Sequence, residues 1–182
     1  MGHEKDVQII EAATSVFLRY GFRRTTMGDI AEAAGVSRPA LYLRFCNKEH
    51  IFQASLKAFI ARTLDQIRAG LPGFGTPMEQ LRFAFECWAV RPFTLMQGAP
   101  DARDLASCSL TFAEKVKTQS YEAFEELLVP ILGGLPAFAG QDGLAPGAVA
   151  HVLAVAVHGF KSEARDVDEL RTMIATQLRL VV

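Results

Sequence analysis

The sequence predicts an all-α protein, with an N-terminal three-helix, helix-turn-helix head followed by a larger helical body. Apolar residues recur at steps of three and four along nearly the whole chain, and β-branched runs with strict alternation are missing. Helix-start patterns stand at Thr26, Ser37, Thr76 and Asp166, and glycines mark the stops. No internal repeat is present.

The first helix carries Ile10, Ala13, Phe17 and Tyr20 at helical spacing. Gly21 ends it, free to take the left-handed cap conformation, and Phe22 follows where it can fold back on Phe17. Thr26 opens the second helix with Asp29 as capping-box partner, and Ile30, Ala31 and Ala34 point inward. Gly35 ends that helix, Val36 plugs the bend, and Ser37 caps the third. Pro39 is tolerated there because first-turn amides have no intrahelical partner anyway. Leu41 and Phe45, one turn apart, bury the third helix against the other two.

A long helix is expected from Asn47 to Ala69, with Phe52, Leu56, Phe59, Ile60, Thr63 and Ile67 on one face and "GLPG" as its stop. Thr76, Pro77 and Glu79 write the next start, and Leu81, Ala84, Phe85 and Trp88 carry that helix to Pro92. Gly98 and Pro100 break residues 93–108 into one or two short helices. Phe112, Val116, Ala123, Leu127 and Ile131 mark another long helix, and residues 133–147 form a glycine- and proline-rich loop. Two helices close the chain, near 148–164 and 167–181, the second capped by Asp166 with Glu169. The division is a head over 1–50 and a body over 51–182.

With 182 residues, half of them apolar, the chain can bury a sizeable core. Its most apolar region, Leu144 to Phe160, is interrupted by Pro146, Gly147, His151 and His158 and is too short to span a bilayer. The start "MGHEKDVQII" has no apolar signal core, so a cytoplasmic protein without membrane contact is expected. Cys46, Cys87 and Cys108 are odd in number and lack C-x-x-C spacing, which fits free thiols in a reducing compartment. Cys46, beside the third helix, is either a small filler or an oxidation-sensitive group. The formal charge of −1 hides an asymmetry: residues 1–62 hold nine Lys/Arg against six Asp/Glu, and the remainder is acidic. A basic N-terminal part suits a polyanion.

A helix-turn-helix unit docks its second helix in the DNA major groove, N-terminal end first. With Leu41 and Phe45 inward, Pro39, Ala40, Tyr42 and Leu43 face outward, flanked by Arg38 and Arg44. Arg38 is the candidate base reader, since its fork can grip guanine O6 and N7 together. Tyr42 and Lys48 are candidates for phosphates, and Ser37 caps a helix end whose amides favour an anion. Thr26 offers a hydroxyl and a helix start to the backbone, while Ala40 and Leu43 can touch a thymine methyl.

These residues resemble the TetR family of bacterial transcriptional regulators. "YGFRRTTMGDIAEAAGVSRPALYLRFCNKEHIF", Tyr20 to Phe52, is similar to that family's DNA-binding signature almost position by position. The resemblance implies a homodimer binding double-stranded DNA at a palindromic operator, with a body that takes a small apolar or amphipathic effector. It also implies that Thr26, Ser37, Arg38, Pro39, Ala40, Tyr42, Leu43, Arg44 and Lys48 supply most DNA contacts. Gly28 departs from the pattern, standing where members often place a polar or basic side chain. Leu43 and Arg44 stand where an aromatic and a histidine are frequent.

In the body, Phe85, Trp88, Phe93, Met96, Phe112, Phe124 and His158 fit either an effector lining or ordinary core. His151 and His158 lie seven apart on one helix face; with no acid or cysteine partner at ligand spacing, neither a metal site nor a cofactor is expected. "VAHVLAVAVHGF" is apolar nearly all round, so its helix needs cover on two sides. That makes it a central core helix or half of a four-helix dimer interface completed by the last helix. The dimer is preferred, because one short head binds DNA too weakly for specificity. No serine, cysteine or acid stands at a catalytic spacing, so no enzyme is expected. The expected function is ligand-responsive repression; the alternative is a constitutive DNA-binding protein of the same fold without an effector.

Overall fold

The computed structural model describes residues 2–99, 104–105, 113–138 and 145–180. Among them the helices are α1 (Gly2–Arg24), α2 (Met27–Ala33), α3 (Arg38–Tyr42), α4 (Lys48–Gly70), α5 (Pro77–Phe85), α6 (Arg91–Gln97), α7 (Glu114–Gly133), α8 (Pro146–Glu163) and α9 (Val167–Arg179). No described residue lies in a strand. No helix among the described residues is long and apolar enough to cross a membrane.

The chain forms two compact units. The first comprises the described residues of Met1–Ala61 and Met96–Thr118, the second Arg62–Leu95 with those of Gln119–Val182. The sequence-based division at 50/51 falls inside the first unit because Ile51 and Phe52, from α4, are buried in its core. That core also takes Ile9, Ala13 and Phe17 of α1, Ile30 and Ala34 of α2, and Leu41 and Phe45 of the third helical segment. Phe17, Phe22 and Phe52 meet pairwise with ring centroids 5.3–5.7 Å apart. Each buried phenyl contributes about 1.5–3 kcal/mol by area. The inward stripe of α1 runs through Ile9, Ala13, Val16 and Phe17, whereas Tyr20, expected on it, is exposed beneath the Arg19 guanidinium. Gly21 has the expected positive φ of 75°, but its ψ of 166° lies outside the left-handed cap, and it kinks the helical run inside α1 rather than ending it.

In the second unit α5 starts as its sequence spells. Thr76 accepts the Glu79 amide while the Glu79 carboxylate takes the Thr76 amide. The helix does not stop at Pro92. A five-residue π turn, Glu86–Val90, joins α5 to α6, with the Arg91 amide reaching back to the Glu86 carbonyl. Pro92 has no amide to donate and its ring crowds the preceding turn, so widening that turn lets the chain pass without a break. The opening of α9 uses half of its expected box: Asp166 accepts the Glu169 amide at 2.8 Å, but Glu169 turns to the Arg165 amide and guanidinium. α8 buries Val149, Leu153, Ala154 and Val157 on one face, while Val152 and Val155 stay 62% and 52% exposed on the other.

Gly35 carries a φ of +63° with no atom within 4 Å of a Cβ built there. Gly35→Ala should therefore destabilise the protein by about 1–2 kcal/mol through backbone strain alone. Gly73→Ala, equally open but without a positive φ, serves as the control and should leave the urea midpoint unchanged or slightly raised.

Candidate nucleic-acid interface

The bend between α2 and α3 is closed by two reversed hydrogen bonds. The Gly35 amide donates to Glu32 at 3.1 Å and the Val36 amide to Ala31 at 3.0 Å. Together with the left-handed Gly35 they form a Schellman stop, which satisfies carbonyls that the end of α2 would leave open. The Gln8 side-chain amide donates to the Ala34 carbonyl at 3.0 Å, tying α1 to the same turn. Ser37 then restarts the chain by accepting the Ala40 amide at 3.3 Å. Its hydroxyl proton is left over for an outside acceptor.

Leu41 is fully buried and Phe45 nearly so, which turns Tyr42 (54% exposed) and Leu43 (88%) to solvent. Ser37, Arg38 and Pro39 are exposed beside them and Ala40 is half-buried. These six residues form one accessible face. The cationic fork of Arg38 and the hydroxyls of Ser37 and Tyr42 are available to phosphates and base edges.

Three of the expected DNA contacts have partners inside the protein. The Thr26 hydroxyl donates to Asp29 Oδ2 at 2.9 Å and accepts the Asp29 amide at 3.2 Å, so its single proton is committed. The Thr26 amide also donates to Asp29 Oδ2 at 2.8 Å, and this bond and the hydroxyl's hold the Asp29 carboxyl below the usual range, with Arg38 adding to the effect. The stability this cap contributes is complete above the ordinary carboxylate pKa and is lost as pH falls through the lowered one. Lys48 Nζ donates to the carbonyls of Phe22, Arg23 and Thr25 at 2.9, 3.3 and 3.0 Å, over the Phe22 ring at 4.4 Å. All three ammonium protons are used, so contact with a phosphate requires Lys48 to leave this seat. Arg44 is half-buried and pairs with Asp6 of α1.

Asp104 is not among the sequence candidates. Its two carboxylate oxygens accept the amides of Phe22 and Arg23 at 2.9 and 2.7 Å. The turn leading into α2 is thus gripped through its amides by Asp104 and through its carbonyls by Lys48.

Of the body candidates, Phe85, Trp88 and Phe124 come together. Trp88 stacks on Phe124 at 4.5 Å and 8°, and Phe85 meets Phe124 edge-on at 5.3 Å. Trp88 is 7% exposed, yet its indole N–H has no acceptor among the described residues. Tyr121 adjoins Trp88 at 5.7 Å, and burial raises its hydroxyl to about 12. The His158 ring meets Tyr121 at 5.9 Å from an exposed position, and Phe93 is half-buried. Met96 does not join this cluster; it packs against the core of the first unit, because α6 ends where the chain returns to that unit. Phe112 and Cys108 lie outside the described residues. His151, on the same face as His158, pairs with Glu125 at 3.0 Å.

Residues 9–55 match the family model described as bacterial regulatory proteins, tetR family. Over these residues the chain is similar to the TetR family. This head is 53% identical over 53 residues to the HTH-type transcriptional regulator TtgR of Pseudomonas putida, covering 29% of the chain and 25% of that protein. The probable acrEF/envCD operon repressor of Escherichia coli is 38% identical over 81 residues, 41% of the chain and 34% of that protein. The TetR-family match thus spans about a quarter to a third of these curated relatives' length. The fold extends further. A transcriptional regulator from Cytophaga hutchinsonii superposes with a TM-score of 0.76 at 19% identity, over 95% of this chain and 94% of that one. Thermus thermophilus FadR, a TetR-family repressor in complex with lauroyl-CoA, does so at 0.65 and 24% identity, over 97% and 92%.

Lys48→Met should lower the unfolding free energy by about 1–2 kcal/mol, as expected for losing charge-assisted bonds to partly buried carbonyls. It should leave the salt dependence of duplex binding unchanged. A slope reduced by about one unit per site, with stability intact, would return Lys48 to the phosphate contacts.

Proposed function

We propose that the protein is a ligand-responsive transcriptional repressor that binds a palindromic operator as a homodimer. The observation that carries the reading is the face of α3: Ser37, Arg38, Pro39, Ala40, Tyr42 and Leu43 are presented while Leu41 and Phe45 anchor the helix. Arg38 reads a guanine, Ser37 and Tyr42 hold phosphates, and Ala40 and Leu43 contact thymine methyls. Thr26, Arg44 and Lys48 contribute mainly by bracing the elements behind this face.

Dimerisation through α8 and α9 is supported by Val152, Val155 and Leu180, the last 83% exposed, which leave apolar surface that a second copy covers by two-fold symmetry. Two copies place two reading helices on one duplex and double the phosphate contacts. Effector binding is supported by Trp88, whose buried indole N–H has no acceptor among the described residues; a carbonyl or carboxylate of an amphipathic molecule supplies one. The π turn that contains Trp88, a form of helix common at functional sites, supports the same place. Phe93 and His158 border this region in sequence and space respectively. A ligand there releases DNA only as far as it prefers the body conformation in which α4 holds the reading helix away from the DNA-competent position. The constitutive alternative draws its support from the close stacking of Trp88 on Phe124, which is also how a filled core packs.

Selection of bound sequences from random duplexes should yield a two-fold palindrome. Arg38→Ala should relax the preference at one base per half-site, at a cost of about 1–3 kcal/mol there; equal loss on all sequences would assign Arg38 to phosphates. Trp88 is the only tryptophan, so effector binding should change its fluorescence saturably and weaken operator binding in step. Acyl-CoAs, prompted by the lauroyl-CoA bound to the Thermus thermophilus protein, are the first probes. Unchanged emission and DNA affinity across a metabolite library would favour the constitutive alternative.

A further inference from the structure

Gly28, the second residue of α2, lies against the side chain of Arg38. A Cβ built on it would come within 3.0 Å of Arg38 Nε and 2.9 Å of Cζ, and closer still to Nη2. Backbone geometry gives no reason for glycine here. Among the described residues only Gly21 and Gly35 have a positive φ, and glycine within a helix forfeits order that alanine would keep. What the position supplies is space, and a guanidinium fills it.

Arg38 itself makes no hydrogen bond or ion pair among the described residues, so its donors remain available. Its charge contributes to holding the Asp29 carboxyl low, which sets the guanidinium beside the start of α2. An arginine must align a planar fork with two acceptors to read guanine, and a long free side chain loses most of its rotamers in doing so. A seat that narrows its directions beforehand removes part of that loss.

We propose that Gly28 is a positioning residue for sequence reading: its missing side chain is the seat that aims Arg38 at one base of each half-site. This rests on the operator reading above. It gives the departure at Gly28 a role, since a side chain there would displace the arginine rather than add a contact.

The test compares the full-length parent, Gly28→Ala, Arg38→Ala and the double variant by selection from random duplexes, with thermal unfolding alongside. Gly28→Ala should weaken specific binding roughly three- to tenfold, the loss expected from freeing one long side chain. It should relax the same base that Arg38→Ala relaxes, and leave the unfolding midpoint at or above that of the parent. The double variant should be no worse than Arg38→Ala. Selection unchanged by Gly28→Ala, relaxation at another base, equal weakening on every duplex, or losses that add in full would each overturn the seat while the operator reading stands. A parent chain that selects no duplex would overturn the operator reading, and the seat with it.

Discussion

What the head presents to the outside depends on one left-handed residue between α2 and α3. Gly35 lets the chain reverse within a single residue, and the Glu32 and Ala31 carbonyls close the turn behind it. The angle so fixed determines that Leu41 and Phe45 enter the core and that Tyr42 and Leu43 do not. Rotate α3 by a third of a turn and a different set of side chains would leave the protein. Recognition chemistry is thus decided by backbone conformation before any side chain takes part. The preceding turn is held differently, by charge: a carboxylate takes two of its amides and an ammonium three of its carbonyls.

The architecture is legible in the sequence because helix starts are written locally. Thr26 with Asp29 and Thr76 with Glu79 form full capping boxes, and Ser37 caps as read. These signals need only three or four residues, so no knowledge of the tertiary fold is required. The π turn at Glu86–Val90 leaves no comparable mark, since it arises from a proline that the helix absorbs instead of ending at. Tyr20 falls off the α1 stripe because Gly21 kinks the helix there and the aromatic has no core to enter.

The candidate DNA contacts are legible as surface, not as chemistry. Spacing correctly separates the outward Pro39, Tyr42 and Leu43 from the inward Leu41 and Phe45. It has no means of seeing that Lys48 and Arg44 already have partners from α1 and the turn after it, since those partners lie 23 to 38 positions away. In the body, spacing brings Phe85, Trp88 and Phe124 together but misplaces Met96, further along the same run of helix. Periodicity identifies the apolar face of a helix and is silent about which of two cores that face meets.

The Asp104 clamp bears on whether this head can be transplanted. Phe22 and Arg23 take their acceptor from 82 and 81 positions downstream, and Leu105 beside it fills the same core as Ile9 and Phe52. A graft cut after the first fifty residues and fused to a foreign partner would therefore arrive with two bare amides and a hole in its packing. In this chain the first fifty residues can be moved intact only with Asp104 and Leu105 alongside them, or with a substitute acceptor in the recipient.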